Sequence, residues 1–372
     1  MTRKLNRIIY PLGAFVALVA LACTCGGLGG TPTLPPLPTQ APATKPPVVL
    51  PTEPPATKPP IGGATESFGG APFEISSDVY AHSSGAFSTS YPAGWEIEER
   101  TDGVFVSEPD GPSSMDVSFT NVGVALDSDS MNNYVQALEY NWFGSFTDYS
   151  QSSVETQQDG SVLVLKTLKV SDGTPYTVFS YYWHLGSAVY EQDFWTTDEN
   201  YDAYSGGFVE IANTLQTNDA VVARSPLYEF RFKYTCPNSL CTFSVPYGWA
   251  YSQDTTYKNT AVDIFTSPDN QTKVDNLAYD DGTVINKSVA GAFALGLLKD
   301  FYAQDIVITD DQVQSDGSER LLWYSKSGGY SGTTFFETRG TTFLMLTWFS
   351  YDPYYDLYFP VWGDLLNTYD VP

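Results

Sequence analysis

Ser90-Tyr91-Pro92-Ala93-Gly94-Trp95 and Ser244-Val245-Pro246-Tyr247-Gly248-Trp249 decide the fold, because they are one pattern met twice, 154 residues apart. The same offset separates Tyr201, Tyr204, Phe208, Ile211 and Leu215 from Tyr355, Tyr358, Trp362, Leu365 and Tyr369. Steps of three and four put each set on one face of an amphipathic helix. Asn213-Thr214 and Asn367-Thr368 match as well. Ser107-Glu108-Pro109-Asp110 is echoed by Ser267-Pro268-Asp269, and Asp159-Gly160-Ser161 by Asp316-Gly317-Ser318. A turn and a helix that share one offset mark a tandem duplication.

Each unit reads as sheet with two helices. Phe87, Thr89 and Tyr91 alternate with serines, as in a half-buried strand. Val104–Val106, Val117–Phe119, Val162–Leu165, Thr177–Trp183 and Ala188–Trp195 are β-branched and aromatic runs. Between early and late strands, Asp129-Ser130 is a helix-capping pair ahead of Met131, Tyr134, Val135, Leu138 and Trp142. In the second unit Asn286 and Ser288 precede Val289, Phe293 and Leu297. The order argues an α+β fold: two tandem α/β/α sandwiches, each a central antiparallel sheet flanked by helices. Pro92 ends a strand because it has no donor, Gly94 bends the chain, and Trp95 plugs the core. Pro246, Gly248 and Trp249 are expected to do the same, so that the paired tryptophans fill two separate interiors.

On those residues the chain resembles the PsbP-like family, the fold of the extrinsic oxygen-evolution subunit of photosystem II. The resemblance rests on Tyr91-Pro92-Ala93-Gly94-Trp95 and on the order of helix, strand meander and closing aromatic helix. The second unit has Val245 in place of the leading tyrosine. It implies a sandwich fold without enzymatic activity, in proteins that assemble, dock or retain ions on the exported side of a membrane.

The N-terminus sets the compartment. Arg3, Lys4 and Arg7 precede an uncharged run from Ile8 to Ala22, and Cys23 follows. This is a secretory signal, too short for a comfortable membrane span. It resembles a bacterial lipoprotein signal with Cys23 as the acylated residue, although Ala20 stands where Leu is usual; plain cleavage or an uncleaved anchor remain alternatives. Residues 31–60 hold 12 prolines. They predict a polyproline II stalk of up to roughly 90 Å at about 3.1 Å per residue. The organisation expected is a signal at 1–22, a Gly- then Pro/Thr-rich linker at 23–71, one domain at 72–219, a link at 220–226 and a second domain at 227–372.

Without Arg3, Lys4 and Arg7 the 18 basic residues fall to 15 against 43 acidic ones, a net charge near −28. Such a surface repels nucleic acid and anionic lipid. It favours cationic partners and loosely held divalent ions; adaptation to salt explains it equally well. Cys236 and Cys241 lie close together with no histidine near, so in an oxidising compartment they read as a disulfide rather than a zinc or redox site. Triad, metalloprotease and phosphate-loop motifs are absent. Glu96, Glu98 and Glu99 carry no pattern beyond that expected among 43 acids. Asp127-Ser128-Asp129-Ser130-Met131-Asn132 has calcium-like alternation but lacks the EF-hand glycine and glutamate, and a helix cap explains it better. Tyr351, Tyr354 and Phe359 fall off the late helical face. They are candidates for stacking on sugars or a protein partner, or for packing against the first domain. The sequence thus predicts an exported, lipid-anchored, non-catalytic binding or scaffolding protein with no cofactor. A cell-surface carbohydrate-binding module is the alternative.

Overall fold

The computed structural model describes residues 72–157 and 159–371. The expected signal, the stalk and Cys23 lie outside them. The first domain comprises β1 (Tyr80–Ala81), β2 (Phe87–Thr89), β3 (Glu96–Arg100), β4 (Gly103–Ser107), β5 (Ser114–Asn121), α1 (Ser128–Asn141), β6 (Thr147–Thr156), β7 (Val162–Lys169), β8 (Pro175–Leu185), β9 (Ala188–Thr197), α2 (Tyr201–Ala212) and β10 (Gln216–Thr217). After the short α3 (Asp219–Val222), the second domain comprises β11 (Arg231–Thr235), β12 (Thr242–Pro246), β13 (Ala250–Asp254), β14 (Thr260–Thr266), β15 (Thr272–Asp280), α4 (Lys287–Phe301), β16 (Val307–Val313), β17 (Glu319–Ser325), β18 (Tyr330–Arg339), β19 (Thr342–Tyr351) and α5 (Tyr355–Thr368).

Each domain is built on a seven-stranded antiparallel sheet. The orders are β3-β4-β5-β9-β8-β7-β6 and β13-β14-β15-β19-β18-β17-β16, the same path taken twice. One face of each sheet carries the middle helix. The other carries the closing helix and a small sheet, β1-β2-β10 in the first domain and β11-β12 in the second. This is the expected α+β architecture.

The paired sequence matches have physical reasons. Thr214 Oγ1 accepts from the Ser90 N–H at 2.8 Å and donates to the Ile211 carbonyl at 2.7 Å; Thr368 repeats this with Ser244 and Leu365, at 2.8 Å each. Tyr204 donates to Glu108 at 2.7 Å and Tyr358 to Asp269 at 2.8 Å, which ties each closing helix to a strand turn. Cys236 and Cys241 form the disulfide at the end of the β11–β12 hairpin.

Local details differ from the sequence reading. Asp127, two residues before the expected pair, caps α1 by accepting from the Ser130 N–H at 2.8 Å. The core face of α4 is turned by one residue: Ala290, Ala294 and Leu298 are buried instead of Val289, Phe293 and Leu297. Two alanines let the helix lie close to the sheet, and Phe293 wedges beside it against Tyr279 and Phe343.

The larger correction concerns the interior. The expectation of two separate cores fails, because Trp249 sits in a core that both domains build. Trp95 packs with Phe73 and Phe208 inside the first domain. Trp249 packs with Tyr228 and Tyr358, in one cluster with Met131, Tyr134 and Leu138 of α1. α1 therefore lies between the sheet it belongs to and the second domain. Asn141 Nδ2 donates to the carbonyls of Tyr247 at 2.7 Å and Trp249 at 2.9 Å, and Asn133 Nδ2 to Pro268 at 3.0 Å. Trp142 meets Tyr247 edge-on at 5.3 Å, and Tyr140 stacks on Tyr251 at 6.2 Å. The link between the domains is fastened too, with Asn121 Nδ2 donating to the Ser225 carbonyl at 2.8 Å. The equivalent surface of the first domain has Ala93 and the solvent-facing strand Glu96-Ile97-Glu98-Glu99-Arg100. Four of its five residues are charged, a polar outer face of the kind the terminal unit of a repeat array carries.

The two glycines of the repeated pattern consequently serve different ends. Gly94 has φ +80° with open space around it, so it is a bend. Gly248 has no such backbone; the Tyr134 ring lies where its side chain would be, 2.3 Å from an added Cβ. Gly248→Ala is expected to cost about 1–3 kcal/mol in urea unfolding through overpacking, and Tyr134→Leu in the same chain should recover part of that loss. Gly94→Ala should cost about 1–2 kcal/mol through its left-handed backbone, with no response to Tyr134→Leu.

Candidate functional site

The first-domain sheet face beneath α1 is unusual in what it buries. Side chains alternate across a strand, so Asp116 of β5, Lys166 of β7, Ser180 of β8, and Glu191 and Asp193 of β9 all project toward α1. Register brings them together: Asp116 lies opposite Asp193, and Ser180 opposite Asp193 on the other side. α1 adds Glu139, one residue after the buried Leu138.

Lys166 and Glu139 form an ion pair in which neither side chain is exposed beyond 1%. Glu139 also accepts from Tyr182 and Tyr149, each at 2.7 Å. The Lys166 ammonium stands 3.0 Å above the Phe143 ring centroid. Arg100 binds both carboxylate oxygens of Asp116, a two-oxygen charge-assisted contact. Asp193 accepts from the Ser180 hydroxyl. Glu191 is only 8% exposed, and its Oε1 has no hydrogen-bond partner among the described residues.

Two cations thus meet four carboxyls, and the electrostatics reflect the excess. Burial raises Asp116 to about 6 against the pull of Arg100. Burial also raises Asp193, opposed by Lys166, and raises Glu191 well above the carboxylate range with Asp193 adding to the effect. Burial lowers Lys166, while the neighbouring acids hold it up.

The second domain shows that the fold does not need these charges. Following the strand registers, Lys166, Ser180, Glu191 and Asp193 correspond to Trp323, Thr334, Met345 and Thr347. There Trp323 Nε1 donates to Thr334 at 2.9 Å, and Thr334 contacts Thr347 at 3.0 Å. Only Asp116 keeps an acid at its equivalent, Asp275, which accepts from Tyr302. Buried charges cost desolvation that apolar packing avoids. The second copy buries one acid at these positions, Asp275, which burial raises to about 6, whereas the first buries three acids and a lysine there.

The charged face ends in a cavity of about 340 Å³, within the usual range for small-ligand sites. Asp116, Asp193 and Arg100 line it together with Trp142, Trp195 and Tyr176. Trp195 stacks on Phe143 at 5.6 Å and meets Tyr176 edge-on at 6.3 Å. Trp142 is the residue that also touches Tyr247 and Phe230 of the second domain, so one wall of the cavity is held by the domain contact.

The residues singled out from the sequence lie elsewhere. Tyr351 is 40% exposed and meets Tyr330 edge-on at 5.9 Å. Phe359 is 43% exposed and packs on Trp348 and Tyr355, each at 5.9 Å. Tyr354 is half-buried against the shared core. No ring contact joins these three among the described residues, so they do not form one platform. The Asp127–Asn132 segment caps α1, and no group of metal-ligating side chains occurs among the described residues. His82 is buried, bonded to Ser84 at 2.7 Å and to the Arg100 carbonyl at 2.9 Å. Sequence reasoning missed Lys166, Glu139, Glu191 and Asp193. Their signal was available: each is a charge at an inward position of an otherwise apolar strand or helix face.

No protein-family model matches the chain, and no curated protein does. Among solved structures, the cyanobacterial PsbP (CyanoP) of Synechocystis sp. PCC 6803 is similar at 12% identity and TM-score 0.31, over 42% of this chain and 98% of that one. A Bacteroides thetaiotaomicron VPI-5482 protein is similar at 13% identity and TM-score 0.28, over 44% of this chain; the match spans 54% of that protein's length. The immunity protein TplEi of a Pseudomonas aeruginosa type VI secretion system, solved with an "L" peptide, is similar at 14% identity and TM-score 0.20, over 75% of this chain and 98% of that one. At this level of likeness the ligands and partners of those proteins do not transfer.

Removing one half of the buried ion pair isolates its energetics. Lys166→Met leaves Glu139 buried without its cation and should lower unfolding free energy by about 3–5 kcal/mol. Adding Glu139→Gln should restore more than half of that loss in the same urea titration.

Proposed function

We propose that this chain is an exported, lipid-anchored, non-catalytic binding protein made of two PsbP-like domains on a proline-rich stalk. Cys23 is the anchoring residue in this reading, and the stalk holds the domains away from the lipid. The observation that carries the binding role is the difference between the repeats. A duplicated fold that packs one helix–sheet interior with Trp323, Thr334 and Thr347 places buried charges and a cavity at the same positions of the other copy. The first domain is the ligand-bearing copy, and the second braces it through Trp142. The repeated Pro-x-Gly-Trp pattern and the shared strand path favour a PsbP-like assignment for both domains.

The carbohydrate reading is weaker, because Tyr351, Tyr354 and Phe359 stand apart from one another. The non-catalytic reading draws on the surroundings of the two histidines. His82 is taken up by Ser84 and a backbone carbonyl, and burial lowers His184 with only Asp159 nearby to oppose it.

Mass spectrometry of the mature N-terminus in the native host should find a lipid-modified Cys23, and Cys23→Ala should move the chain from the membrane fraction to the soluble one. Crosslinking in whole envelope should capture a partner with the unaltered chain. Unmodified Cys23 in a membrane-free chain would remove the anchor, and the absence of any crosslinked partner would remove the scaffolding role.

A further inference from the structure

We propose that the open cavity at the C-terminal end of α1 binds a small organic ammonium group, held between the Trp142, Trp195 and Tyr176 rings and the Asp193 carboxylate. The inference rests on the binding role proposed above and names its ligand class.

Pairing of the charges decides the sign of the ligand. Arg100 is taken up by both oxygens of Asp116, and Lys166 by Glu139. Lys166 also acts on Asp193 and Glu191, which are joined to each other, so the two cations are shared among four carboxyls and leave a surplus of two acids on this face. Asp193 lines the cavity, and Glu191 beside it has an oxygen without a hydrogen-bond partner. A cation entering the cavity balances this surplus; an anion would add to it, in a chain of net charge −25.

The walls decide between a metal ion and an organic cation. Carboxylates do not gather into a metal-ligating group among the described residues, whereas rings flank the acids on several sides. Aromatic faces attract ammonium groups, most strongly where water is excluded. The molecule already displays the interaction next door. The Lys166 ammonium rests over Phe143, and Phe143 stacks on the Trp195 that walls the cavity. A ligand ammonium on the cavity side of Trp195 would repeat within one aromatic cluster what Lys166 does on the other side.

Binding should be linked to pH. Facing Asp193 and Glu191 are Asp116 and Arg100 across the sheet, Lys166 from β7, Tyr182 from β8, and Glu139 and Tyr134 from α1. Burial raises Asp193 and Glu191, so without a bound cation they hold a proton to higher pH than free carboxyls do. A bound cation favours the ionised form and displaces that proton. Affinity therefore rises with pH while the amine stays charged.

The test is calorimetric titration of the mature chain with n-butylammonium, tetramethylammonium, a lysine-containing tripeptide and, as the anion control, glutarate. The expected result is one saturable site for the ammonium probes and none for glutarate, with affinity rising about ten-fold for each proton displaced per unit of pH. Asp193→Asn should weaken binding by roughly ten-fold or more, as loss of a charged partner does, and Trp195→Leu should weaken it too. Asp275→Asn, at the matching position in the second domain, should leave it unchanged. Tightest binding of the tripeptide would identify a lysine side chain as the natural source, and tightest binding of a simple amine a free metabolite. No saturable ammonium binding, preferential binding of glutarate, or affinity independent of pH would overturn the proposal; the pH comparison uses the unaltered chain and decides even where a variant does not fold. A retained envelope crosslink without ammonium binding would remove the ligand alone, and ammonium binding without a crosslink would remove only the scaffolding role.

Discussion

The contact of the Tyr134 ring with Gly248 is the constraint on which the rest of the molecule depends. A side chain at residue 248 would hold the two repeats apart. Its absence lets α1 sit flush against the Trp249 loop, with Asn141 and Asn133 donating hydrogen bonds to three backbone carbonyls of the second domain. The helix is then fixed on two sides. It carries Glu139 into the first sheet and Trp142 over the cavity, so the geometry of the charged face is set partly by a domain that contributes none of the charges.

Duplication gives the comparison its force. Two copies of one strand path face their middle helices with different chemistry. One has the ladder Trp323–Thr334–Thr347, the other the chain Glu139–Lys166 with Ser180–Asp193 beside it. The ladder links its indole and hydroxyl groups to one another and has one buried acid, Asp275, beside it. The charged version leaves two carboxyls in excess and raises their affinity for protons. Low dielectric amplifies both the cost of that arrangement and its response to a ligand. In the binding role proposed here, the acids near the cavity are a poised site rather than a brace for the sheet.

Much of the architecture was legible in the sequence, for reasons that are now specific. The Gly-Trp pair and the late aromatic comb shared an offset because each closing helix is latched to its own strand by the same threonine and tyrosine bonds. The domain contact was not legible. Gly94 and Gly248 look identical in sequence, yet one needs a left-handed backbone and the other needs space for a ring from another domain. The site was half legible. Lys166 in Val162-Leu-Val-Leu-Lys166 and the Glu191/Asp193 pair broke the apolar alternation, but register alone places Asp116 opposite Asp193. The exposed rings of Tyr351 and Phe359 drew attention because aromatic excess is easy to see in a sequence, whereas inward charges hide among 43 acids.

The shared interior is tested most directly by hydrogen exchange followed by mass spectrometry across a urea series on the mature chain. If α1 belongs to one core spanning both repeats, amides of β7–β9 and of β17–β19 should lose protection together, at one urea concentration and in one cooperative step. Persistence of protection in one domain after the other has exchanged would show two independent cores and contradict the account.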